Sequence, residues 1–298
     1  MYFPDYPFTS RYFDRGDGIR LHYIDEAPAA PTNGAAPANT VVMVHGNPTW
    51  SFYYRRVILA LRKTHRCIAP DHVGMGLSDK PGDAKYAYTL RQRIDDLEAL
   101  LNSLNITQPI TLIVHDWGGM IGMGYAVRHP ERIARLVILN TAAFGLPAGK
   151  KMPWQLKLCR SPLGPLLVRG LNGFSRDAAK SCVKRRPLSQ DAREAYLRPY
   201  NSWANRIAVM RFVQDIPLSP GHPSFADVQH IAGNLAQFRD RPMLVVWGLR
   251  DFVFDHHFLT EWTQRFPAAT VHRYEDAGHY VLEDAHEEIV PLVTRFVS

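Results

Sequence analysis

Residues 110–129, ITLIVHDWGGMIGMGYAVRH, decide the fold of this chain. An apolar run, Ile110–Val114, meets a glycine-rich helical stretch at Asp116 and Trp117, and Gly118 and Gly119 permit a tight turn between them. That is the pattern of a nucleophile elbow, where one residue is held on a strained strand-to-helix turn so that its side chain projects above a sheet. The usual elbow reads G-x-S-x-G; here Asp116 takes the serine position and Val114 the first glycine position. A carboxylate placed there attacks an electrophilic carbon and forms an ester that must then be cleared. Taken alone, the same residues also describe an aspartate capping a helix.

The flanking sequence has a matching rhythm. Short apolar runs at 41–44 (VVMV), 66–71 (RCIAPD), 136–140 (LVILN), 243–248 (MLVVWG) and 270–276 (TVHRYED) alternate with helical stretches such as 53–63 and 90–104. This predicts a mostly parallel central sheet flanked by helices. Residues 11–26 read as one N-terminal strand, and 27–40 (APAAPTNGAAPANT) as a surface loop. The rhythm breaks over 144–222, which is rich in Pro, Arg and aromatic residues and helical in parts, such as 190–212. The chain is therefore expected to fold as a core domain, 1–143 with 223–298, carrying a helical cap, 144–222, after the sixth strand and over the carboxyl ends of the strands.

Two further residues fall in chain order behind Asp116. Asp251 ends the loop GLRD after the strand at 243–248, and His279 stands in DAGHYV after the last strand. Nucleophile, acid and histidine on successive strand-end loops form the triad arrangement, so Asp116, Asp251 and His279 are the expected catalytic residues. Asn140, at the other place where such folds carry the acid, cannot ionise; Asp255 is the second choice. His45–Pro48 (HGNP) follow another strand, so the backbone N–H groups of Asn47 and Trp117 should converge near Asp116. The Asn47 carboxamide and Trp117 indole are neutral donors suited to holding a departing anion.

Composition narrows the setting. No apolar run approaches the roughly 18 residues of a membrane span, and the first twenty residues lack a signal-peptide pattern, so the default location is the cytoplasm. Cys67, Cys159 and Cys182 form an odd, unspaced set that fits reduced thiols. The net charge is +7, yet residues 144–200 alone hold twelve Lys or Arg against three Asp or Glu, a local +9. A solvated helical face is the plain account of this basicity; a surface for an acidic protein or anionic lipid is the functional one. Nucleic acid is not expected as a partner, because no recognisable binding motif accompanies the charge.

HGNPTW (45–50), APDHVGMGLSDKP (69–81), VHDWGGMIG (114–122) and DAGHYVLED (276–284) resemble the haloalkane dehalogenase-like branch of the α/β-hydrolase fold. The resemblance implies that Asn47 and Trp117 bind an anion, halide in the dehalogenases, and that Asp251 is the acid. The cap segments NTAAFGLP, KMPWQL, NGFS, NRIAV and RFVQDIPLSP, with DRPMLVVWGLRD, are similar to the β-lactone decarboxylases of bacterial long-chain olefin biosynthesis. The resemblance then implies opening of a cis-3-alkyl-4-alkyloxetan-2-one with loss of carbon dioxide to give a cis-alkene, without cofactor or metal. Its partners would be a small hydrophobic substrate and, through the basic cap, other enzymes of the olefin pathway or a membrane surface.

Haloalkane dehalogenation is the alternative. An epoxide hydrolase would need cap tyrosines, for which Tyr196 and Tyr200 are the candidates by position, and a non-catalytic receptor would have no need of a complete triad. For a hydrocarbon-rich substrate, most of Trp154, Leu158, Leu163, Leu166, Leu167, Phe174, Trp203 and Phe212 should face a pocket above Asp116, while Lys184, Arg185 and Arg186 should point outward.

Overall fold

The computed structural model describes residue 3, residues 5–28 and residues 39–298, so the loop expected over 27–40 lies largely outside the described residues. Eight strands form one sheet in the order β1-β2-β4-β3-β5-β6-β7-β8. They are β1 (Arg11–Asp14), β2 (Arg20–Glu26), β3 (Thr40–Val44), β4 (Arg66–Pro70), β5 (Ile110–Asp116), β6 (Ile133–Thr141), β7 (Met243–Gly248) and β8 (Thr270–Tyr274). From β4 to β8 every neighbouring pair is parallel, while β1–β2 and β2–β4 are antiparallel.

The single N-terminal strand expected over 11–26 is instead a hairpin. Its turn runs through Gly16 at φ +88° and Gly18 at φ +77°, in the left-handed region that glycine tolerates. The alternation of Ile19, Leu21 and Tyr23 falls on the second strand and the residue just before it, where Leu21 pairs with Phe13 across the turn.

Every residue of β3 and β5 is buried, as strands covered on both faces require. Alternate residues enter different cores. Val42, Val44, Leu112 and Val114 pack with Ile94 and Leu97 of α2 (Leu90–Ser103) and with Ile121 of α3 (Trp117–Arg128). Val41, Met43 and Ile113 pack with Val57 of α1 (Arg55–Leu61) and Ile289 of the helix His286–Val297. Because β3 has β4 on one side and β5 on the other, the chain reverses its winding direction at β3, and a crevice opens at the carboxyl ends of β3 and β5.

Between β6 and β7 there is no strand among the described residues. Helices α4 (Trp154–Arg160), α5 (Gly173–Ser181), α6 (Gln190–Leu197) and α7 (Ile207–Gln214) occupy this stretch, and α8 (Phe225–Asn234) packs back on α3. No described helix is long and apolar enough to cross a membrane. All three cysteines are buried and unpaired.

Candidate active site

Asp116 sits at φ 52°, ψ −127°, between the last residue pairing of β5 and the first turn of α3. A non-glycine residue in that region carries backbone strain and stays there only when its surroundings over-determine it. Several contacts do so. The Thr141 hydroxyl donates to the Asp116 carbonyl, and the Asn47 N–H donates to carboxylate Oδ1 at 2.5 Å. A Cβ on Gly46 would collide with the Asp116 carboxylate, and one on Gly118 with the Val44 carbonyl; both positions must stay bare for the turn to close.

Burial raises the pKa of Asp116; nearby His279 and the N–H groups of Asn47 and Trp117 oppose that shift without cancelling it. The carboxylate also stands at the N-terminus of α3, where the helix dipole favours negative charge.

His279 Nε2 lies 3.6 Å from Asp116 Oδ2, and its Nδ1 lies 2.7 Å from Asp251 Oδ2. Asp251 is fixed on every side: Oδ1 accepts from the N–H groups of Val253 and Phe254, and Oδ2 also accepts from the Asn140 carboxamide at 3.0 Å. The Phe254 ring stacks on the imidazole at 5.7 Å. Burial disfavours the His279 imidazolium, but the Asp251 carboxylate and its hydrogen bond, with Asp116, raise the net pKa above the ordinary histidine value. The structure thus brings Asp116, His279 and Asp251 together, with Asp251 hydrogen-bonded to one imidazole nitrogen and Asp116 at ion-pair distance from the other. Asp255, the second choice for the acid, accepts instead from Lys150 and from the His257 backbone N–H.

Two acidic residues that sequence reasoning passed over hold the histidine loop. Asp284 is buried and accepts from the backbone N–H groups of Gly278, Lys184 and Arg185, which ties the His279 loop to the cap. Glu283 is paired with Arg55 and accepts from the Tyr196 hydroxyl at 2.6 Å. The signal was present in HYVLED: two carboxylates one turn behind His279 within an otherwise apolar stretch, where burial demands partners.

A cavity of about 520 Å³ opens above Asp116, bordered by Asn47, Trp117, Phe144, Phe174, Phe258 and His279. Among the expected donors, the Asn47 amide gives one hydrogen to the Val209 carbonyl at 3.1 Å, which leaves its second for the cavity. Among the described residues no tyrosine borders the cavity. Tyr200 is turned to Thr49 and Gly76 and Tyr196 to Glu283, so neither cap tyrosine reaches Asp116 as epoxide protonation would need.

Of the eight apolar cap residues expected around the pocket, Trp154, Leu158, Leu167 and Phe174 border it. Leu163, Leu166 and Trp203 are exposed on the outside, and Phe212 is buried against Trp117 and the Arg93 guanidinium. Periodicity could not separate the two sides of the cap, because both are apolar. Of the three cations expected to point outward, Lys184 and Arg186 are exposed and Arg185 is half-buried. Lys184 borders the cavity mouth, while Arg185 pairs with Asp276 and Glu288, and Arg186 with Glu287.

The relationships of the chain agree with this geometry. Residues 39–286 match the α/β hydrolase fold family. A cis-3-alkyl-4-alkyloxetan-2-one decarboxylase of Shewanella oneidensis is 56% identical over 98% of this chain and 89% of its own length. One of the same description from Xanthomonas campestris pv. campestris is 48% identical over 100% of this chain and 99% of its own. Haloalkane dehalogenase 2 of Mycobacterium tuberculosis is 28% identical over 98% of this chain and 96% of its own. The crystal structure of a haloalkane dehalogenase from Bradyrhizobium elkani has a TM-score of 0.83 at 22% identity, over 97% of this chain and 98% of that one, which shows a common fold. This chain belongs to the α/β-hydrolase fold family, in its haloalkane dehalogenase-like branch, and is more similar to these two decarboxylases than to these dehalogenases.

Proposed function

We propose that this enzyme opens a cis-3-alkyl-4-alkyloxetan-2-one and releases carbon dioxide and a cis-alkene, with Asp116 as nucleophile, His279 and Asp251 as its charge partners, and Asn47 and Trp117 as donors to the departing anion. The observation that carries the reading is the 56% identity over nearly the full chain with a protein described by that reaction.

The site suggests a balanced route. An Asp116 oxygen attacks the ring carbon that bears oxygen; the C–O bond breaks, and the ring oxygen leaves as a carboxylate still attached through the neighbouring carbon. That carboxylate then departs as carbon dioxide, its C–C electron pair forming the double bond while the Asp116 ester bond breaks and restores the carboxylate. One inversion followed by one anti elimination converts a cis ring into a cis alkene. Neither water nor a net proton is consumed.

In this route the Asn47 amide and Trp117 indole stabilise the carboxylate as it is released. His279, held between Asp251 and Asp116, keeps Asp116 ionised against burial and so improves it both as nucleophile and as leaving group.

Gas chromatography of reactions with a long-chain cis-β-lactone, alongside bromide release from brominated alkanes, tests this reading. Alkene with little bromide is expected. Bromide release that outpaces alkene would make hydrolytic dehalogenation the activity instead.

A further inference from the structure

The cap carries apolar residues outside as well as inside. Eight of the nine large hydrophobic side chains exposed among the described residues lie between Leu146 and Leu218, a span of about a quarter of the chain. Single exposed leucines need no explanation, but a cluster does. Trp154 and Leu158 are one turn apart on α4, and Leu163 and Leu166 follow directly, 58% and 56% exposed. Trp203 joins them: a Cβ built on Gly170 would contact both the Leu166 and Trp203 side chains, and the Arg169 guanidinium lies over the Trp203 ring at 4.6 Å.

Cations are interleaved with these residues. Lys150, Arg185, Arg186 and Arg211 are neutralised by carboxylates of the chain. Lys151, Lys157, Arg176 and Lys180 are exposed and enter no ion pair among the described residues. The cavity opens on this side, since Trp154 and Leu158 are both exposed and border it.

We propose that this face of the cap docks on a bilayer containing anionic phospholipid, with Trp154, Leu163, Leu166 and Trp203 entering the interface and the unpaired lysines and arginines meeting the headgroups. Charge complementarity selects the occupant, because with Lys150, Arg185 and Arg186 neutralised from outside the segment, residues 144–200 still hold nine cations against three acidic residues, a net +6. Composition selects it as well. Lysine is depleted from the cores of protein–protein interfaces, whereas Lys and Arg mixed with Trp and Leu characterise segments that lie in the membrane interface. Docked this way, the cavity mouth faces the phase in which a hydrocarbon-rich substrate dissolves; only this consequence rests on the proposed activity.

Co-sedimentation of the full chain with vesicles of phosphatidylcholine plus phosphatidylglycerol, and of phosphatidylcholine alone, tests the docking without substrate. Binding to the anionic vesicles, weakened by salt, is expected, and Leu163→Asp with Leu166→Asp should lower it by roughly tenfold or more. Neither leucine borders the cavity, so turnover of a short-armed soluble substrate should be unchanged in that variant and shows that it folds. The proposal fails if the parent chain ignores anionic vesicles, or if it binds them and the double variant binds equally. A dimer in sedimentation velocity that the double variant loses, without vesicle binding, would mean that a second copy covers this face. Failure here leaves the activity reading intact, and absence of alkene would leave the docking intact.

Discussion

Asn140 and Asp251 are joined by a hydrogen bond of 3.0 Å to the same carboxylate oxygen that His279 Nδ1 reaches at 2.7 Å. Asn140 stands at the end of β6, one of two places where this fold can carry its acid, and here it donates to the carboxylate that stands at the other. It also clasps Gly248 through both amide atoms, with the side chain donating to the Gly248 carbonyl and accepting from its N–H. Asn140→Ala removes one hydrogen bond to a charged group and frees the loop after β7. We expect kcat to fall about tenfold, consistent with ~1.5 kcal/mol, with little change in KM. Unchanged kcat in steady-state assays would mean that Val253 and Phe254 hold Asp251 unaided.

Asp284 predicts a stability effect. Its two oxygens accept from three backbone N–H groups, on both the cap and the His279 loop. Asp284→Asn replaces one acceptor oxygen with an NH2 that faces donors, so the folded state should lose about 2–3 kcal/mol. Denaturant unfolding measures this; a loss below ~0.5 kcal/mol would show that the strap contributes nothing.

The pH profile separates the two chemistries. Burial raises the Asp116 pKa, so kcat/KM for either substrate should fall on the acid side above the range of an ordinary carboxylate. His279 is opposed by burial but raised on balance by Asp251 and Asp116, so it loses its proton above the ordinary histidine range. A hydrolytic route needs the neutral imidazole, and bromide release would climb through that titration. Alkene release consumes no water and should stay level or decline there. A climb in alkene release would contradict the elimination route.

Chain length should matter. The cavity of about 520 Å³ has Phe144, Phe174 and Phe258 among its walls, and each buried methylene contributes up to roughly 0.8 kcal/mol. A β-lactone with long alkyl arms should exceed a short-armed one by well over an order of magnitude in kcat/KM, and Phe174→Ala should narrow the gap. Equal values below the aggregation limits would mean that the cavity does not hold the arms.

The body of the fold was legible because its strands are short, apolar and separated by helices, and the meeting of Asp116, Asp251 and His279 because each ends or follows such a strand. The N-terminal hairpin was not, since the turn at 15–19 interrupts an alternation that reads through it. The cap resisted for a different reason. Trp154 borders the cavity yet is 69% exposed, while Phe212 lies beneath the site and is fully buried, so hydrophobicity alone could not tell wall from surface or core. Asn140 was passed over as an acid, and its role as a donor to Asp251 depends on β6 and β7 being neighbours, which only the sheet order supplies.

The central claim is that the Asp116 carboxylate makes and breaks the bond to carbon. Asp116→Asn keeps the shape of the side chain and removes its nucleophilicity, so the protein should fold while alkene release from a long-chain cis-β-lactone drops by about a thousandfold or more. Intact-mass spectrometry of the same preparation excludes deamidation back to aspartate. Near-native alkene release from a verified Asp116→Asn protein would contradict the account.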